Sequence, residues 1–183
     1  MRKSAALFAT AATALALAGC ASDPAPVARL GLRLAPAALG ESIALQQHLT
    51  VERKGRIDEL DAAVEADANA VQVVGLALGQ RVLSVKYDGK ELSAWRHVML
   101  PRQVRAEDVL EDLQLTLWPV EAIAQALPAG WRIEEQGLSR TLYLDDAQVA
   151  RITYSGAPRW SGTVVLDNQR YGYRLSIESA SVQ

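Results

Sequence analysis

From Ile43 the chain alternates, with Ile43, Leu45, Leu49 and Val51 apolar and Gln46, His48, Thr50 and Glu52 polar. A period of two predicts a strand with one buried face. After Lys54-Gly55 the alternation resumes with Leu60, Ala62, Val64 and Ala66 set against Asp61, Glu65 and Asp67. Asn69 then marks a turn into Val71 to Leu78, and Gly79-Gln80 another into Leu83, Val85 and Tyr87, so these segments predict an antiparallel meander. In the third segment the apolar positions shift from Val71 and Val73 to Val74, Leu76 and Leu78, which implies two covered faces or a bulge near Gly75. Gly75 and Gly79 make a G-x-x-x-G pair, but the run is short and strand-like where a membrane helix contact needs an apolar 20-mer. Asp88-Gly89 is a hairpin-type turn. Glu91 to Arg105 mixes Trp95 and Met99 with Arg96, His97, Arg102 and Arg105 around Pro101, and reads as a loop or a short edge strand.

At Ala106 the period lengthens to that of a helix. Val109, Leu110, Leu113 and Leu117 share a face, and Glu107, Asp108, Glu111 and Asp112 fill the early turns, where the helix dipole favours acids. Pro119 can open a second short helix carrying Val120, Ile123 and Leu127, which Pro128 and Gly130 end. Strand patterns then return at Trp131 to Glu135, Leu138 to Leu144, Val149 to Tyr154, Trp160 to Leu166 and Tyr171 to Ile177. The expected fold is mainly β (α+β): about nine or ten antiparallel strands in two runs, with a helical insertion at about 106–127. A twisted sheet of that size curls on itself, and helices across its concave face would enclose an apolar hollow.

The N-terminus changes the picture. Arg2 and Lys3 precede an apolar segment from Ala5 to Ala18, too short for a membrane span of about 20 residues and arranged like a secretory signal. The segment ends in Leu17-Ala18-Gly19-Cys20, which resembles the bacterial lipobox. That resemblance implies cleavage before Cys20 and a covalent diacylglycerol and N-acyl chain, palmitate-like, on Cys20, with no other cofactor. Ala21-Ser22 follow where an aspartate would mark inner-membrane retention, so it further implies the periplasmic face of the outer membrane. Cys20 is the only cysteine of the 183 residues, so no disulfide is expected. Residues 20–40, rich in Ala and Pro, read as the lipidated cysteine and a tether, leaving 1–19 as leader and 41–183 as one folded domain. The formal net charge of -2, more negative without Arg2 and Lys3, argues against a nucleic-acid partner.

A wider likeness rests on Asp112-Leu113-Gln114-Leu115 with Trp118-Pro119, the strand from Arg140 to Leu144, and Asn168 followed by Tyr171-Gly172-Tyr173. In these features the stretch from Gln46 to Ser179 resembles an uncharacterised family of small bacterial outer-membrane lipoproteins, often encoded beside aryl-polyene biosynthesis enzymes and related in fold to the lipoprotein carriers LolA and LolB. The resemblance implies a LolB-like incomplete barrel with a helical lid, a cavity for acyl chains, and a lipid or lipidated cargo handed on by a periplasmic carrier. It also implies an apolar loop that meets the membrane, for which Val98 to Leu100 is the candidate.

Catalytic motifs are absent by spacing: there is no G-x-S-x-G, H-E-x-x-H, C-x-x-C or phosphate loop. A non-catalytic protein is expected. His48 and His97 read as surface residues, since a metal site needs three or four converging ligands. The expected lipid-cavity residues are Leu76, Leu78, Val85, Trp95, Leu113, Leu117, Trp118, Ile123 and Trp160. The expected headgroup residues are Arg96, Arg102 and Arg105, which with Lys86 and Lys90 either meet anionic groups or pair with the acids from Glu107 to Asp112. The rival reading is a filled barrel that docks an envelope complex through its surface.

Overall fold

The computed structural model describes residues 29–101 and 104–182. The leader, Cys20, the first part of the expected tether and Arg102 lie outside the described residues. Ten strands, β1 (Ile43–Arg53), β2 (Arg56–Ala66), β3 (Val71–Ala77), β4 (Gln80–Tyr87), β5 (Leu92–Arg96), β6 (Trp131–Gln136), β7 (Ser139–Leu144), β8 (Ala147–Tyr154), β9 (Gly162–Asn168) and β10 (Tyr173–Ser181), form one curved, open sheet. Its order is β5-β4-β3-β2-β1-β10-β9-β8-β7-β6, antiparallel throughout, so the two strand runs of the sequence meet where β1 pairs with β10. Helices α1 (Ala106–Leu117) and α2 (Val120–Ala126) stand between the runs.

Register follows the alternation. Leu45, Val64, Val73 and Val85 lie opposite one another on successive strands and are all buried, as are Ile43, Ala66, Val71 and Tyr87 one step along. Both central residues of the β1–β2 turn have positive φ, Lys54 at 51° and Gly55 at 76°, the geometry that matches the twist of two flanking strands. The β3–β4 turn repeats it with Leu78 at 50° and Gly79 at 74°, and the expected bulge lies between Gly75 and Leu76.

The expected tether boundary needs correcting. Residues 29–40 carry Leu32, Leu34, Pro36 and Leu39 into the core, alternating at first with exposed Gly31, Arg33 and Ala35. The segment is extended to Ala35, turns into a 3₁₀ helix over Pro36–Leu39 and joins no strand; its extended part is served by α1 and by the Tyr87 hydroxyl, which donates to the Arg33 carbonyl at 3.4 Å. Glu111 accepts from the Gly31 N–H at 2.6 Å, the Gln114 amide accepts from the Leu34 N–H at 3.0 Å and donates to the Leu34 carbonyl at 2.9 Å, and the Trp118 indole donates to the Ala35 carbonyl at 3.2 Å. Residues 111, 114 and 118 form one stripe of the helix, so a single face reads the segment. The folded unit therefore includes the residues from Arg29, and α1 lies between this segment and the sheet.

The C-terminal end of α1 is tied to the other half of the sheet. Fully buried Arg140 on β7 donates to the Leu115 carbonyl at 2.9 Å and Tyr154 on β8 to the Thr116 carbonyl at 2.8 Å, satisfying carbonyls that a helix end leaves open. Burial would penalise the charged carboxyl of Glu135, but hydrogen bonds from Arg140 and Arg159 outweigh it and hold the group below its usual range. Because the Gln114 side chain serves two buried backbone groups, Gln114→Ala is expected to cost about 2–4 kcal/mol of folding free energy. Urea denaturation measures it, and a loss below about 1 kcal/mol would show that water replaces the amide without penalty.

Candidate ligand cavity and its polar wall

Between the concave face of β1–β4 and β10 and the inner face of α1 lies a cavity of about 180 Å³. Its floor is built from small side chains. Ala62 and Gly75 are register partners, flanked by Val64 and Val73, and a Cβ at Gly75 would meet the Leu83 Cβ at 3.2 Å. Such residues leave space beneath a helix whose position is set elsewhere, by the segment 29–40 and by Arg140 and Tyr154. Burial grades along the lining. Val64, Val73, Leu83 and Leu113 are buried, Val51, Leu60 and Val104 are partly exposed, and Arg53 and Arg105 are exposed. The cavity thus opens between the β1–β2 turn and the start of α1 and deepens toward Leu113.

One wall is polar. Arg29 lies 3.3 Å from Asp108, 3.6 Å from Glu111 and 3.2 Å from Asp112, three acids on a single face of α1. Tyr173 donates to Asp112 at 2.6 Å and accepts from Arg29 and from the Asn168 amide, each at 3.2 Å. The Arg29 guanidinium stacks 4.2 Å from the centre of the Tyr171 ring. Burial opposes its charge, but Asp112, Tyr173 and Asp108 outweigh burial and hold Arg29 more firmly protonated. For the acids burial wins. It raises Asp108 and Glu111 and pushes Asp112 up to about 6, although Arg29 and the Tyr173 hydroxyl pull the other way. The Tyr173 hydroxyl is raised by burial and by the Asp112 charge beside it.

A family model described as a protein of unknown function, DUF3261, matches residues 44–181. The chain belongs to this family. No curated protein matches it. Among solved structures, a LolA superfamily protein from Nitrosomonas europaea matches with a TM-score of 0.39 at 10% identity over 80% of this chain and 88% of that one. A DUF1329 family protein from Desulfovibrio piger matches with a TM-score of 0.38 at 10% identity over 79% and 87%.

In this DUF3261 member, Leu113 is the expected cavity residue that lines the space. Val85, Leu117, Trp118 and Ile123 are buried in the core away from it, and Trp160 packs partly buried against that core. The other three expectations are corrected by strand parity and turn geometry. Leu76 keeps the parity of Gln72 and Val74 and falls on the outer face beside His48 and Asp61, and Leu78 is fully exposed because it occupies a turn position. Trp95 pairs with Ser84 on the edge strand, exposed under the Arg81 guanidinium. Of the arginines, Arg105 lines the mouth and approaches Glu107 at 3.4 Å, while Arg96 donates to the Leu100 and Pro101 carbonyls and so braces the loop. Sequence reasoning missed Arg29, Arg53, Asp108, Asp112 and Tyr173 as lining residues. Arg29 had a signal, since it begins the alternating run Leu30, Leu32, Leu34 inside the stretch assigned to the tether.

The pH dependence follows from the raised acids. A carboxyl that holds its proton more tightly folded than unfolded favours the folded state below its folded value, and that contribution is lost as pH rises through it. Lowering the pH from 7.5 to about 5 should therefore raise the melting temperature, and Asp112→Asn should remove most of the rise. Below about pH 4 the trend should reverse as Asp67, Asp88 and Glu135, which are held below their usual range, take up protons. Thermal melts across this range test it, and a melting temperature that climbs steadily from pH 5 to 7.5 would contradict it.

Proposed function

We propose that the protein is a lipoprotein anchored through Cys20 at the periplasmic face of the outer membrane, which binds or passes on an acyl-type or polyene-type lipid without covalent chemistry. The observation that carries this reading is the apolar cavity between α1 and the concave sheet face, one wall of which is polar and centred on Arg29. Ligand sites are apolar hollows of this kind with a few placed polar groups. In this reading α1 acts as a lid.

The loop between β5 and α1 adds support. Val98 and Met99 are 92% and 78% exposed, while Leu100 and Val104 of the same loop line the cavity. An exposed apolar tip continuous with a cavity mouth suits delivery to or collection from a membrane or a periplasmic carrier. The rival reading, a filled barrel that docks an envelope complex, is disfavoured by the space left between α1 and the concave face of the sheet.

Native mass spectrometry of the protein purified from its host tests the proposal. A stoichiometric lipid adduct is expected, lost in Leu113→Asp while far-ultraviolet circular dichroism stays unchanged. Bare protein from the host, and from a strain lacking the neighbouring biosynthesis enzymes, would favour docking instead.

A further inference from the structure

The cavity's size and its one-ended exposure limit what can enter it. A closed apolar cavity of about 150 Å³ holds a ring of six carbons. At about 180 Å³ the space beneath α1 takes slightly more, and it is closed at the Leu113 end by Val64, Val73 and Leu83. The mouth carries both signs of charge, with Arg53 and Arg105 facing Glu107 and Asp108, and burial raises Asp108 despite the arginines around it. Nothing in this arrangement accommodates two or three chains side by side.

We propose that the cavity accepts a single alkyl chain of roughly seven carbons, tail first toward Leu113, with a dipolar head left at the mouth between Arg53, Arg105 and Asp108. The inference rests on the lipid-binding reading above and narrows its ligand to single-chain amphiphiles, excluding diacyl and triacyl lipids held whole. Each methylene that enters an apolar site gains about fourfold in affinity, and the gain stops when the space is full. Affinity should therefore depend on chain length with a plateau.

The test is calorimetric titration of the purified protein with alkylphosphocholines of three to sixteen carbons, below their micelle concentrations, beside diheptanoylphosphatidylcholine. All share one headgroup and differ in tail length and number. Affinity should rise about fourfold per methylene to roughly seven carbons and then stay level, with the two-tailed lipid at least about tenfold weaker than the octyl compound. In Ala62→Leu the plateau should fall about two carbons earlier, and in Arg53→Gln, an exposed change that spares the core, it should keep its position while overall affinity drops severalfold. A rise continuing to sixteen carbons, or tighter binding of the two-tailed lipid, would overturn the single-chain inference and leave lipid binding standing. An unchanged plateau in a folded Ala62→Leu protein would place the site elsewhere. No binding at any chain length would overturn the lipid-binding reading itself.

Discussion

The guanidinium of Arg29 faces the carboxylates of Asp108, Glu111 and Asp112, and the position of α1 over the sheet depends on that contact. Three acids one turn apart on a half-buried helix face repel one another and lose hydration. Removing the cation that offsets them would cost on the order of 3–5 kcal/mol, as for other broken buried pairs. Arg29 also begins the extended segment whose backbone Glu111, Gln114 and Trp118 bind. Charge pairing and backbone pairing therefore act on the same helix face, and the segment and α1 hold each other in place.

The cavity follows from this fixation together with small residues on the floor. A helix free to settle would sink toward Ala62 and Gly75 until dispersion contacts closed the gap. Here the outer face of α1 is bound to residues 29–35, and its C-terminal carbonyls are bound by Arg140 and Tyr154, so the inner face spans the space. The same polar wall that holds α1 lies along the cavity and responds to pH near 6 through Asp112.

The strands were legible because their period is two and their turns are marked by Lys54-Gly55, Asn69, Gly79-Gln80 and Asp88-Gly89; the helices were legible from the change of period at Ala106 and from Pro119. The segment 29–40 was not, because its alanines and prolines outweigh the alternation of Leu32, Leu34 and Pro36, and because its hydrogen-bond partners are side chains 80 residues away. Of the nine expected lipid-cavity residues only Leu113 lines the space, with Arg105 at the mouth and Leu100 of the apolar loop. Whether an apolar side chain fills a core or borders a space depends on what stands opposite, and at Ala62 and Gly75 it is the smallness of the residues that matters. The register shift at Gly75 falls on the β4 side, where Val82 is skipped, so β3 keeps its parity and Leu76 lies on the outer face with Gln72 and Val74. Of the residues that carry the family resemblance, Asp112, Gln114, Trp118, Arg140, Asn168 and Tyr173 are linked in the polar contacts that hold α1, and Tyr171 stacks on the Arg29 guanidinium that faces them.

The most direct test of this account is a crystal structure of the protein with an alkylphosphocholine brominated at the end of its tail, with the bromine located by anomalous scattering. The account places the bromine among Leu113, Val64 and Val73, beneath an α1 still bound to Arg29 and Leu34. A bromine on the outer face of the sheet, or a cavity closed by collapse of α1 onto Ala62 and Gly75 with the ligand bound elsewhere, would contradict it.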